Sequence, residues 1–232
     1  MKFHDWLRGK EINLKPKLMF VVNTDSFFMS HRLPIAQRAL KNGFEVHVAC
    51  RLNCFSDKMK EMGLVVHPLS LDRRSIGIFS NGRTFFQILW IFSQVRPDLV
   101  HLVTIKPVLL GGLAARLACI PRVVVAISGL GFIFTERGIK AKIRRWLVGC
   151  FYRLALKHST LKVICQNEHD SAIVVRLTGL SHEKIDLIKG SGVDLDEYPL
   201  LPIPEGKPVV MFASRLLVDK GVYEFVSAAR IL

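Results

Sequence analysis

Short apolar runs rich in Val and Ile recur along this chain. Each is followed by a polar turn and then by a stretch whose apolar residues fall at helical spacing, and this alternation limits the fold more than any other feature. The runs are residues 18–23 (LMFVVN), 44–49 (FEVHVA), 64–68, 99–103 (LVHLV), 123–127 (VVVAI), 161–165 (LKVIC) and 185–188. Between them lie segments that read as helices: 30–42, with Leu33, Ala36 and Leu40 on one face, then 58–62, 81–96, 107–117, 139–157 and 167–178. Pro34 falls where a first helical turn tolerates it, and Gly43 suits a helix end. Seven strands separated by helices predict an α/β, Rossmann-like, doubly wound parallel sheet, since parallel strands need a crossover and a helix supplies it.

The pattern breaks at residues 198–208 (YPLLPIPEGKP), where four prolines exclude a helix or a central strand. This divides the chain into a basic tail (1–16), a first Rossmann-like domain (17–197), a linker (198–208) and the start of a second domain (209–232). In the last part, 209–213 (VVMFA) reads as a strand, 214–220 as a loop and 221 onward as a helix. One such unit cannot bury both faces of its strand, so the second domain is expected to be incomplete.

Lys and Arg number 33 against 19 Asp and Glu, a formal charge of +14, which suits phosphate, nucleic acid or an anionic membrane as partner. Five cysteines without a CxxC pair argue against a disulfide framework and a zinc site, and fit a reduced, cytoplasmic setting. The first residues lack the apolar core of a secretory signal. Residues 85–95 (FFQILWIFSQV) fall short of the roughly 20 that span a bilayer, and a buried helix is expected there.

Ligands of open parallel sheets bind at the carboxyl ends of strands, so those loops carry the candidate chemistry. Arg215 and Lys220 flank a loop that enters a helix, which suits a diphosphate or is simply a solvated basic turn. Residues 23–32 (NTDSFFMSHR) hold Ser26, Phe27, His31 and Arg32; the plainer reading has Ser30 capping the helix, His31 exposed, and Phe27 and Phe28 packing. Gly129 and Gly131, in 128–135 (SGLGFIFT), could admit a sugar to the backbone or merely form a turn. The missing third glycine there, and the absence of glycine after the first strand, argue against a nicotinamide site. In 139–158, Lys140, Lys142, Arg144, Arg145, Arg153 and Lys157 interleave with Trp146 and other large apolar residues. Such a helix suits a membrane surface or an ordinary amphipathic core face, and no nucleic-acid module accompanies it.

Ser214, Arg215, Lys220 and Gly221 stand in the order S-R-x-x-x-x-K-G, and this segment resembles the opening of the second domain in the family 4 glycosyltransferases of GT-B fold. Residues 23–49, 101–135 and 190–200 resemble three further stretches of that family, above all of bacterial enzymes that add an N-acetylhexosamine or related sugar to an undecaprenyl-diphosphate-linked acceptor. The resemblance implies a retaining transfer from a nucleotide diphosphate sugar, such as a UDP-sugar, in surface polysaccharide or O-antigen synthesis at the inner face of the cytoplasmic membrane. It implies that Arg215 and Lys220 contact the donor diphosphate, that the 23–32 loop faces the acceptor, and that no metal or other cofactor is needed. The DxD at Asp194 and Asp196 falls in the family's pre-linker loop.

This chain departs from the family pattern at three points. Ser26 and Phe27 stand where many relatives have a glycine pair, and 128–135 lacks the histidine that many place there. The family's Glu-x7-Glu pair has no match, since Glu224 is the only acid after Lys220, so catalytic residues are unassigned and the 232-residue chain alone is expected to be inactive. Alternatives are an inactive membrane-associated fragment and an epimerase or hydrolase of the same shape acting on the nucleotide sugar itself.

Overall fold

The computed structural model describes residues 15–71, 77–127 and 139–190, and residues 192–231 apart from 193, 194, 197, 204, 215 and 217; the side chains of 78, 139–145 and 219 are not described. Two compact units divide the chain, residues 1–191 and 192–232.

In the first unit the elements run β1 (Lys17–Thr24), α1 (Asp25–His31), α2 (Leu33–Lys41), β2 (Glu45–Arg51), α3 (Ser56–Glu61), β3 (Val65–Pro68), α4 (Ile78–Val95), β4 (Leu99–Val103), α5 (Ile105–Leu117), β5 (Val123–Ile127), α6 (Ile139–Ala155), β6 (Leu161–Cys165), α7 (Glu168–Thr178) and β7 (Ile185–Leu187). The strands form one parallel sheet in the order β3-β2-β1-β4-β5-β6-β7. The order reverses between β1 and β4, the switch point where open α/β sheets leave a crevice at the strands' carboxyl ends.

Helices cover the sheet on both sides, which is why every residue from Leu18 to Val22 is buried. Met19 and Val21 point into one core with Val100, Leu102, Ile88 and Tyr152. Leu18, Phe20 and Val22 point into the other, with Phe28, Ala36 and Met59. On the first side α5 lies between α4 and α6, and two glycines let it approach. A Cβ on Gly111 would stand 2.7 Å from a methyl of Leu102, and one on Gly112 would stand 2.7 Å from the backbone oxygen of Ala155.

The structure departs from the sequence reading in three places. Residues 25–31 are helical rather than looped: Thr24 caps this added helix α1, its Oγ1 accepting from the amide of Phe27 at 3.2 Å, and the following helix α2 has Arg32, not Ser30, at its N-cap. Ser30 instead donates back to the carbonyls of Ser26 and Phe27. In α4 only one stripe is buried (Ile88, Ile91 and Phe92), while Phe79, Phe86 and Trp90 are 95%, 67% and 64% exposed, because one helix face packs on the sheet and the opposite face meets no other element among the described residues. Residues 208–213 form no strand. A strand takes its hydrogen bonds from a neighbour, and the described part of the second unit offers none; it holds a 3-10 turn at Val218–Lys220 and α8 (Val222–Ile231).

A buried carboxylate fixes the carboxyl end of the sheet. Asp25, fully enclosed, accepts from the backbone amides of Ser26 (2.7 Å), Asn53 (2.7 Å), Cys54 (2.9 Å) and Phe55 (3.0 Å), and from Asn53 Nδ2 at 3.2 Å. The loop after β2 is thus tied to the start of α1. Burial alone would raise the carboxyl pKa; the four amide donors together outweigh it and hold Asp25 below the ordinary value of 3.8.

Two stability predictions follow from these contacts. Gly112→Ala, forced against a backbone atom, lowers unfolding free energy by about 2 kcal/mol in urea titration, whereas Gly82→Ala, with open space around it on α4, raises it by roughly 0.5–1 kcal/mol. Asp25→Asn sets an amide against amide donors and costs about 3 kcal/mol at pH 7. Because the native pKa of Asp25 is lowered, its stabilisation is complete above about pH 4 and fades as pH falls through the native value. The gap between wild type and Asp25→Asn therefore narrows toward pH 2, a trend that stability measurements along that acid limb check.

Candidate functional site

A cleft of about 150 Å³ opens at the carboxyl end of the sheet, on the Phe20 side. Its walls come from the junction of α1 and α2 (His31, Arg32, Pro34, Ile35), from β4 and β5 (His101, Ala126, Ile127) and from the ends of β6 and β7 (Ile164, Gln166, Ile188, Gly190). All belong to the first unit.

Arg32 caps α1, its amide donating to the carbonyl of Phe28 at 2.8 Å, and it immediately precedes α2, with Pro34 in that helix's first turn. This tight junction buries the residue to 8% exposure. Nη1 donates to the carbonyl of His31 at 3.0 Å, while Nε is enclosed and meets no acceptor. Burial lowers the guanidinium pKa, yet an arginine stays cationic. His101 projects from the middle of β4 and stacks on Phe20 with centroids 5.3 Å apart. It is 7% exposed, and its Nε2 also lacks a partner. Burial, and then the charge of Arg32, bring its pKa down to about 3, so the ring is neutral at physiological pH.

Two more enclosed polar atoms sit where strands end nearby. Asn23 Oδ1, at the end of β1, and Thr104 Oγ1, just after β4, have no partner. Thr104 holds φ 75° and ψ 162°, a region natural to glycine, at a cost of about 1–3 kcal/mol. Strain and unsatisfied polar atoms gathered at one sheet end mark a place built for something other than stability.

Of the residues singled out from sequence, His31 and Arg32 line this cleft. His31 is exposed, stacks on Phe27 at 4.5 Å and has Nδ1 2.6 Å from Ser30 Oγ. Ser26 turns to the carboxylate of Asp25 and Phe27 packs against the core, so neither is part of the lining. Lys220 ends an exposed 3-10 turn in the second unit, followed by Gly221 at φ 79°. Trp146 and Arg153 are exposed on α6. Arg215, Gly129 and Gly131 lie outside the described residues, as do the side chains of Lys140, Lys142, Arg144 and Arg145. Sequence reasoning passed over His101, Asn23 and Thr104. A histidine inside the run LVHLV, and polar residues closing two central strands, were the available signals.

The chain resembles known proteins along most of its length. An N,N'-diacetylbacillosaminyl-diphospho-undecaprenol alpha-1,3-N-acetylgalactosaminyltransferase of Campylobacter jejuni is 27% identical over 229 residues, covering 93% of this chain and 60% of that protein. A UDP-Gal:alpha-D-GlcNAc-diphosphoundecaprenol alpha-1,3-galactosyltransferase of Escherichia coli is 25% identical over 170 residues, covering 68% of this chain and 42% of that one. The chain thus spans no more than 60% of the length of either relative. The crystal structure of a glycosyltransferase from Rickettsia africae superposes with a TM-score of 0.56 at 15% identity, over 78% of this chain and 44% of that one, which shows a shared fold. Residues 17–172, from β1 into α7, match the family described as Glycosyl transferase 4-like, and the chain belongs to that family.

Proposed function

We propose that this chain is the acceptor-side part of a glycosyltransferase that moves a sugar, an N-acetylhexosamine, from a nucleotide diphosphate sugar to an undecaprenyl-diphosphate-linked glycan. The observation that carries the reading is the family match from β1 into α7, which takes in six of the seven strands, together with two relatives whose names specify acceptors of this class. The cleft supports it, with a buried cation suited to an anionic ligand at the switch point of the sheet.

On this reading Arg215 and Lys220 meet the charge growing on the leaving nucleotide diphosphate, the task for which preorganised cations are effective. No metal is then required. After Lys220 the sequence offers one acid, Glu224, so the 232-residue chain supports no turnover by itself. Purified chain incubated with UDP-N-acetylhexosamine and a lipid-linked acceptor should give no product above background, and measurable transfer would sink this part of the reading. Release of free sugar without any acceptor would favour a nucleotide-sugar hydrolase or epimerase instead.

The site of action on this reading is the inner face of the cytoplasmic membrane. Among the described residues no helix is long and apolar enough to cross a membrane. A surface location is supported by the layer α4, α5 and α6, whose sequences contain no Asp or Glu but include Arg83, Arg116, Arg144, Arg145 and Arg153. Its outward residues include Phe79, Phe86 and Trp90 on α4, and Trp146, Leu147 and Phe151 on α6. Exposed aromatic rings among cations and without acids suit the interface of an anionic bilayer. Replacing Arg144 and Arg145 with Gln should weaken co-flotation with phosphatidylglycerol vesicles roughly thirtyfold, since each basic residue at such a surface contributes about 1 kcal/mol. Phe86→Ser with Trp90→Ser should weaken it further, and undiminished flotation of both variants retires the membrane assignment.

A further inference from the structure

Arg32 is a buried cation without an anion. Removing a guanidinium from water costs several kcal/mol unless a counter-charge and hydrogen bonds offset it, and among the described residues no carboxylate pairs with it. One Nη1 bond to the neighbouring carbonyl is its recorded contact, and Nε faces no acceptor. His101 is in the same condition, nine-tenths buried with Nε2 unpartnered. Of the cleft-lining residues only His31, Arg32 and His101 are charged or titratable, and none is acidic. The other group packed on the imidazole is the ring of Phe20. Two unsatisfied hydrogen-bonding groups, one of them a fixed positive charge, therefore share a cleft that supplies nothing negative.

The rest of the lining narrows the ligand. Pro34, Ile35, Ile127, Ile164 and Ile188 are aliphatic, and no phenyl or indole ring is present on which a nucleobase could stack. The volume, about 150 Å³, is well below the roughly 300 Å³ at which pockets begin to enclose a whole small-molecule ligand. It admits a headgroup and the first atoms of a tail.

We propose that Arg32 and His101 form a subsite for the phosphoryl headgroup of a prenyl diphosphate, with Arg32 supplying charge and two-pronged hydrogen bonding, His101 Nε2–H a neutral hydrogen bond, and the isoleucine walls a seat for the start of the aliphatic tail. The assignment rests on the reading that the cleft takes the lipid acceptor. It names side chains for that role and does not depend on which sugar is transferred.

The experiment is calorimetric titration of the full 232-residue chain with geranyl diphosphate, with geraniol and UDP as separate arms and no sugar nucleotide present. Geranyl diphosphate should bind, and Arg32→Gln should weaken it at least about tenfold, the scale of a lost charge-assisted hydrogen bond. His101→Leu should weaken it several-fold, and His101→Gln, whose amide can donate from a similar position, should recover much of that loss. Arg32→Lys, which keeps the charge and loses the fork, should fall between wild type and Arg32→Gln, and it serves as the test if the glutamine variant does not fold. Affinity for geraniol should be weak and indifferent to Arg32. Failure of geranyl diphosphate to bind, or equal affinity in folded Arg32 variants and wild type, overturns the proposal. Loss of UDP affinity rather than geranyl diphosphate affinity in those variants overturns the lipid assignment and gives the subsite to a nucleotide. Because sugar transfer is measured separately, either reading can fail without the other.

Discussion

A charge is buried at each end of the seven-residue helix α1, and the architecture of the cleft depends on how differently the two are treated. Asp25, at the amino end, is satisfied by backbone amides from its own first turn and from the loop after β2. Arg32, at the carboxyl end, has one neighbouring carbonyl. Each charge stands at the end of the helix that favours its sign, and neither neutralises the other. The amide cage around Asp25 sets where α1 begins and therefore where Arg32 ends up, over β4 and beside His101. The unsatisfied end is held in place by the satisfied one.

That dependence explains what could be read from the chain and what could not. Residues 123–127 and 161–165 were assignable as β5 and β6 to the residue, because short apolar runs rich in β-branched residues, interrupted in β6 only by the exposed Lys162, are bounded by polar residues. Helix α1 was not. Its sequence, DSFFMSH, has no helical periodicity, and the contacts that stabilise it come from Asn53, Cys54 and Phe55, far along the chain. The run VVMFA at 209–213 erred in the opposite direction: its strand propensity is a preference for a pleated, partnered surface, and the described part of the second unit provides no partner. Of the site, His31 and Arg32 were legible because polar residues at a helix entry after the first strand stand out in the sequence. The burial of Arg32 and the participation of His101 were not, since both follow from how β4 lies beside β1.

The two faces of the sheet carry different chemistry. One bears α1, α2 and α3, the amide cage and the cleft, and there acids such as Asp57 and Glu61 occur among the bases. The other bears α4, α5, α6 and α7; the first three contain no acid and show aromatic rings outward, while α7 carries Glu168 and Asp170 in its first turn. Such a division follows from the reversal of strand order after β3, which puts α1 to α3 on one side of the sheet and α4 to α7 on the other. The family match over residues 17–172 takes in six of the seven strands.

The glycine pair in α5 gives that division a mechanical consequence. With no side chain between Gly112 and the backbone of Ala155, and none between Gly111 and Leu102, α6, α5 and β4 touch as hard surfaces with no compliant layer between them. A protein interior of this density transmits displacement instead of absorbing it. Helix α5 starts one residue after Thr104, at the edge of the crevice, so the outer face of α6 and the floor of the cleft form parts of one rigid gauge. Whatever surface α6 rests on, the height of the cleft above it is a fixed length.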